Sequence, residues 1–222
     1  MRVKFLGTSS NEPLPRAGCD CDQCSSKDKK DKRSRSSILI NKKILIDANP
    51  DIGKQLRPPQ VKSLEAVLIT HEHQDAVGGL KDLLRMWRDI RIIKLNPGQH
   101  FKLLGIDFYA FKVKHSNLIT TVGIEIGPIV YMPDIADLDW AMKYLKESKI
   151  AIIDGSSLGR SFGGHMSVNE IVGQTKQLKN LKKIYFTHNG HTRRTHREMT
   201  SLIQRIGDKR YHIAYDGLEI KA

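Results

Sequence analysis

Two stretches carry side chains whose types and spacing could do chemistry, His71-Glu-His73-Gln-Asp75 and Cys19-Asp-Cys21-Asp-Gln-Cys24. His71 and His73 lie two residues apart at the end of an extended apolar run, Ala66 to Ile69, which sends both imidazoles to the same side. Asp75 follows at the mouth of an amphipathic segment, Asp75 to Trp87, that reads as a helix. Imidazole with carboxylate suits zinc, manganese or iron. A lone His-x-His is more often a surface or core pair. Here the strand before it, the Asp at the third alternate position and Gly78-Gly79 after it favour a metal cradle.

The cysteines point the same way. Cys19, Cys21 and Cys24 are the only three in the chain, an odd number too tightly spaced to staple a large fold. Three thiolates can wrap one face of a tetrahedral zinc, with the fourth ligand supplied from elsewhere, most often by a histidine.

These groups need elements to position them, and the pattern of apolar runs supplies them. Val3 to Leu6 is a short strand entering the small-residue turn Gly7-Thr-Ser-Ser, and Ser37 to Ile40 with Ile44 to Asp47 form a hairpin around Asn41-Lys-Lys. Alternating strands around Ile90 to Leu95, His100 to Leu104 and Phe108 to Val113 lead to His115, which on these residues alone is a surface histidine as readily as a ligand. Ile129 to Met132 delivers Asp134, which reads as a cap for a helix over Asp137 to Leu145. Ile150 to Asp154 is a buried strand followed by a flexible glycine-rich loop ending at His165. Ser167 and Glu170 form a capping box for a helix to Leu178. Lys183 to Phe186 is the last core strand, followed by Thr187-His188-Asn-Gly-His191.

At 222 residues with no composition break, one domain over 1–222 is expected. The formal charge of +13 favours anionic partners such as phosphate esters or nucleic acid over a membrane, although a merely solvated basic surface gives the same count. No apolar run reaches membrane-spanning length, and Met1-Arg-Val-Lys-Phe-Leu-Gly enters a strand instead of a signal sequence, so a cytoplasmic location is expected. The charge run Lys27 to Arg35 reads as solvated, with a phosphate grip by Arg33 and Arg35 as the alternative. Arg193, Arg194, His196 and Arg197 form a basic helix start that could likewise touch an anion.

The segment from His71 resembles the His-x-His-x-Asp-His signature of the metallo-β-lactamase superfamily, with Ala76 in place of the usual second-metal histidine. Gly18-Cys-Asp-Cys-x-x-Cys24, just after the first strand, is similar to its phosphoribosyl cyclic phosphodiesterases associated with carbon-phosphorus lyase. The resemblance implies an α/β fold, a four-layer αββα sandwich, and a metal-dependent hydrolase, most concretely a phosphodiesterase. It implies one or two catalytic divalent ions, zinc or manganese: the first held by His71, His73, His115 and Asp134, the second, weakened by Ala76, held by Asp75, Asp134 and His188. A structural zinc would sit on Cys19, Cys21, Cys24 and His191. Asp47 would accept from the metal histidines from behind, Asp75 would orient the attacking water, and His165 would face the substrate as proton donor or phosphate contact.

The expected substrate is a small anionic phosphate ester. The rivals are a nuclease acting on RNA or DNA, against which stand few aromatic residues for stacking bases, and a non-catalytic binding protein with a decayed metal site. Homodimer formation is compatible with the sequence.

Overall fold

A computed structural model describes residues 1–222. The strands in chain order are β1 (Arg2–Gly7), β2 (Ser37–Ile40), β3 (Ile44–Ile46), β4 (Ala66–Ile69), β5 (Arg91–Lys94), β6 (His100–Leu103), β7 (Ile106–Val113), β8 (Thr121–Ile126), β9 (Ile129–Met132), β10 (Ile150–Asp154), β11 (Lys183–Thr187), β12 (Tyr211–Ile213) and β13 (Glu219–Lys221). They form a six-stranded sheet ordered β13-β1-β2-β3-β4-β5 and a seven-stranded sheet ordered β12-β11-β10-β9-β8-β7-β6.

Three buried clusters show how the layers stack. Phe5, Ile38, Leu68, Ile124, Tyr131 and Ile152 meet between the two sheets. Leu45, Val67 and Leu83 pack the first sheet against the helices Ile52–Gln55, Pro58–Lys62 and Leu80–Met86. Val130, Ile153, Ile171, Ile203 and Tyr211 pack the second sheet against the helices Met142–Glu147, Val168–Thr175 and His196–Ile206. The order is helix, sheet, sheet, helix, the expected αββα sandwich. Because β3, β4, β9, β10 and β11 are covered on both faces, they read as unbroken apolar runs instead of alternating ones.

Strand direction places the site. β3 and β4 run parallel with Ile46 opposite Leu68, so the residues after each emerge at one edge. β9, β10 and β11 are also mutually parallel, with Asp154 opposite Thr187. β7 is antiparallel to β8, which is antiparallel to β9, so β7 ends at the same edge as β9. Groups following the carboxyl ends of these strands therefore converge although they are up to 117 positions apart in sequence, from His71 to His188.

Two expected elements differ. The helix read from Asp75 to Trp87 is two, Gln74–Val77 and Leu80–Met86. The break is at Gly78-Gly79, where a Cβ on Gly79 would stand 2.1 Å from the Asn49 carbonyl oxygen. The glycines thus serve close passage of the chain over the loop after β3. The helix expected from Asp137 begins at Met142, with Ala141 at its N-cap, so Asp134 is no cap. The capping boxes Ser167/Glu170 and Thr195/Glu198 are both formed, each hydroxyl contributing about 1 kcal/mol.

Candidate metal centre

His71, His73 and His115 bring one ring nitrogen each within 4.8 Å of the others, and a carboxylate oxygen each of Asp75 and Asp134 and a ring nitrogen of His188 come equally close to one another. His71 lies just past the end of β4, after Thr70, and His73 holds the N-cap position of the short helix Gln74–Val77, with its ring centroid 4.8 Å from that of His71. The His115 Nε2 lies 3.2 Å from the His73 Nδ1 and 3.8 Å from the Asp134 Oδ1. The His188 Nε2 lies 3.1 Å from the Asp75 Oδ2 and 3.4 Å from the Asp134 Oδ1, so Asp134 stands between the two groups. His188 has φ +53°, a left-handed backbone that aims its ring into the cluster.

The donor set fits divalent cations. The Nε2 of His71 is buried without a hydrogen-bond partner and belongs to the cluster of imidazoles, which is costly unless a cation takes its lone pair. Burial alone would lower the His188 imidazole, yet Asp134, Asp75 and Asp154 hold it up at about 10. Burial likewise opposes ionisation of Asp134, but His188, His71 and His115 hold its carboxyl far below the usual range. Paired carboxylates and imidazoles of this kind are ready for an ion.

Asp47 does not touch the histidines. Its carboxylate accepts from the Thr70 backbone N–H at 2.9 Å and from the Thr70 hydroxyl, and the Thr70 Oγ1 lies 2.9 Å from the His71 Nδ1. The expected direct support from behind is therefore relayed through Thr70. Burial pushes Asp47 up to about 8 against those two bonds. The N-cap position of Ile52–Gln55 is held by Asp51.

His165 stacks on His188 with centroids 5.1 Å apart and planes 17° from parallel. Its Nδ1 lies 2.6 Å from the Asp154 Oδ2; burial would lower this imidazole, but Asp154 outweighs that and raises it. The loop before it ends more tightly than expected. Phe162 N–H donates to the His165 carbonyl and His165 N–H to the Phe162 carbonyl, closing a two-residue turn at Gly163 and Gly164, with φ +56° and +85°. A Cβ on Gly164 would stand 2.1 Å from the His115 carbonyl oxygen, and the Gly164 carbonyl lies 2.9 Å from the His115 Nδ1.

The second centre is the cysteine cluster. The His191 Nε2 lies 3.2 to 3.6 Å from the sulfurs of Cys19, Cys21 and Cys24. Loss of solvent would raise Cys21, but the Cys24 backbone amide and His191 hold it at about 6, whereas burial and the neighbouring thiols push Cys24 up to about 11. One thiolate suppresses the next, a repulsion that a zinc ion would remove.

A cavity of about 1060 Å³ opens over the first centre, lined by Arg16, Arg35, Arg194, His73, Asp75 and His165 among 22 residues. Ser10, Asn11 and Glu12 line it too, so the turn after β1 does border the site. Arg35 is paired with Asp51 at 3.0 Å. Arg33 is elsewhere: it is buried, donating to the Thr8 hydroxyl and the Ala214 carbonyl, so it cannot grip a phosphate in the cavity. His100 is exposed. Sequence reasoning missed Asp154 and Thr70; the strand-end Ile-Ile-Asp-Gly was the available signal for Asp154, and nothing local marks Thr70.

A family model described as a beta-lactamase superfamily domain matches residues 42–93. An octanoyltransferase of Porphyromonas gingivalis is 28% identical over 99% of this chain, which spans about half, 51%, of that relative's length. A diphosphatase of the PhnP family is 25% identical with a TM-score of 0.84, covering 100% of this chain and 97% of that one. The zinc-bound PqqB of Methylobacterium extorquens matches at 20% identity and a TM-score of 0.80, over 100% of both chains. No helix here is long and apolar enough to cross a membrane. Sheet order, converging strand ends and these likenesses give the chain the metallo-β-lactamase fold, with residues 42–93 matching the superfamily's model, and the chain resembles the PhnP branch of that superfamily.

Proposed function

We propose that the chain hydrolyses a small phosphodiester, cyclic or linear, in the cavity above the clustered imidazoles. The observation that carries this reading is the ligand cluster opening into a cavity bordered by Arg16, Arg35 and Arg194. Nε2 of His71, Nδ1 of His73 and Nε2 of His115 would hold one cation together with Asp134, and Asp75, Asp134 and His188 would hold a second. Cys19, Cys21, Cys24 and His191 would hold a structural zinc. Bound cations supply Lewis acidity, drawing charge from a phosphoryl oxygen and acidifying water toward neutrality.

The protein's own groups do the rest. Asp75 orients the attacking water and accepts its proton. His165, fixed through Nδ1 by Asp154, presents Nε2 to the leaving oxygen and gives it a proton, a transfer worth ~10²–10⁴-fold. The arginines neutralise the phosphate's charge on entry, in keeping with a net charge of +13. The clustered thiols suit a reducing, cytoplasmic compartment.

The test is turnover of bis(p-nitrophenyl) phosphate with added manganese or zinc. Activity that His73→Ala abolishes supports the reading. Absence of turnover with every metal would favour a non-catalytic binding protein, and cleavage confined to oligonucleotides, with steep salt dependence, would favour a nuclease.

A further inference from the structure

Only two of the 22 residues lining the cavity are hydrophobic, Leu158 and Phe162, and both sit on the loop that carries His165. Phe162 is 61% exposed, in contrast to the buried aromatics of the core. Its position is nevertheless fixed. It pairs directly with His165 across the two-residue turn, the pairing in which opposed side chains project from the same face of a hairpin, and the two ring centroids are 6.2 Å apart. The hairpin is held at both ends. Gly164 is seated against His115, while Ser167 N–H donates to the Ser161 hydroxyl at 2.8 Å and Ser161 in turn bonds Glu170. An aromatic face is thus held beside the imidazole that serves the leaving group, whereas the arginines come from other segments of the wall.

We propose that Phe162, with Leu158, is the specificity-determining seat for the leaving alcohol, and selects phosphodiesters whose leaving group carries a flat ring. The inference rests on the phosphodiesterase reading and names the substrate class within it. Water forms a new bond to phosphorus and yields its proton to Asp75. The ester P–O bond to the alcohol breaks, and its oxygen keeps the electron pair and takes the proton from His165. The oxygen must therefore be within reach of His165 Nε2 at that moment, and the carbon skeleton behind it has Phe162 as its nearest apolar surface. Stacking of a ring on an aromatic side chain raises preference about tenfold.

The experiment compares methyl phosphodiesters of phenol and of hexafluoroisopropanol, alcohols of similar acidity, in the metal-loaded protein. The wild type should favour the phenyl ester in kcat/KM. Phe162→Ala should lose about tenfold on that ester and clearly less on the aliphatic one, and Phe162→Tyr should restore the preference. Calorimetry with phenylphosphonate and methylphosphonate should show the same loss in Kd. Equal losses on both esters would mean that Phe162 only supports the loop, and equal wild-type rates on both would mean that no ring is recognised; either overturns the inference while leaving the phosphodiesterase reading intact. If the wild type cleaves neither ester but does cleave a thioester or a phosphomonoester, the reading itself falls, and the seat with it.

Discussion

The Oδ2 of Asp154, at the end of β10, lies 2.6 Å from the Nδ1 of His165, joining a fully buried carboxylate to an imidazole that reaches the cavity. The bond fixes the ring and leaves Nε2 as the nitrogen available to a substrate. Asp154 also accepts from the Ser156 and Ile135 backbone N–H groups, so its own orientation is set by the chain around it.

A positioning role for Asp154 makes a discriminating prediction. Asp154→Asn should slow hydrolysis of diesters with alkoxide leaving groups by ~10²-fold, the low end for general acid catalysis, because such oxygens need a proton. It should barely affect p-nitrophenyl esters, whose leaving group departs without one. Steady-state rates on the two substrate types check this. Equal loss on both would mean that the substitution disturbs the metal ligands instead.

Ala76 is buried and lines a small cavity with His71, Asp75, Asp134 and His188. A methyl group offers no lone pair, so a second cation held by Asp75, Asp134 and His188 would have one ligand fewer than the signature provides. Titration of stripped protein with zinc, followed by calorimetry with the cysteine site already filled, should give one tight and one distinctly weaker phase. Two equally tight phases would show that another side chain completes the second site. His165, which lies within 4.8 Å of Asp154 and His188, is the one in reach.

The thiol site should be separable from the catalytic one. Cys21→Ser removes a thiol held at about 6 and should release one zinc per chain and lower the Tm, while the metal content of the histidine site stays. His191 is three residues from His188, and Asn189 between them donates to the Thr8 and Phe186 carbonyls, which anchors the catalytic side when the zinc is lost. Metal analysis of the purified variant decides the matter. Unchanged zinc content would mean that the cluster does not hold the ion.

Much of this was legible because it depends on local pattern. His71-x-His73-x-Asp75 and the cysteine spacing are contiguous signals, and buried strands announce themselves as apolar runs. What could not be read was set by long-range packing. The break at Gly78-Gly79 answers to a carbonyl of Asn49, about thirty residues away, and the relay from Asp47 through Thr70 depends on the parallel pairing of β3 with β4. Arg33 sits in a charge run that looks solvated, yet it reaches Ala214, 181 positions on. Composition favours the surface for such a residue, and only the tertiary contact overrules it.

That buried arginine leads to a pH dependence. Arg33 Nη2 lies 3.1 Å from the His196 Nδ1, and burial together with Arg33 and Lys30 lowers His196 from 6.5 to about 4, against weaker opposing pulls from Asp31 and Asp28. The folded protein therefore refuses a proton that the unfolded chain accepts below pH 6.5. Stability from this pair is complete above pH 6.5 and is lost as the pH falls from there toward 4. Thermal melts should show the wild-type Tm dropping through that window more steeply than the Tm of His196→Gln, whose amide oxygen can still accept from Arg33 but does not titrate. Parallel Tm profiles for the two proteins would mean that His196 takes its proton in the fold as easily as out of it, with Arg33 turning aside to let it do so.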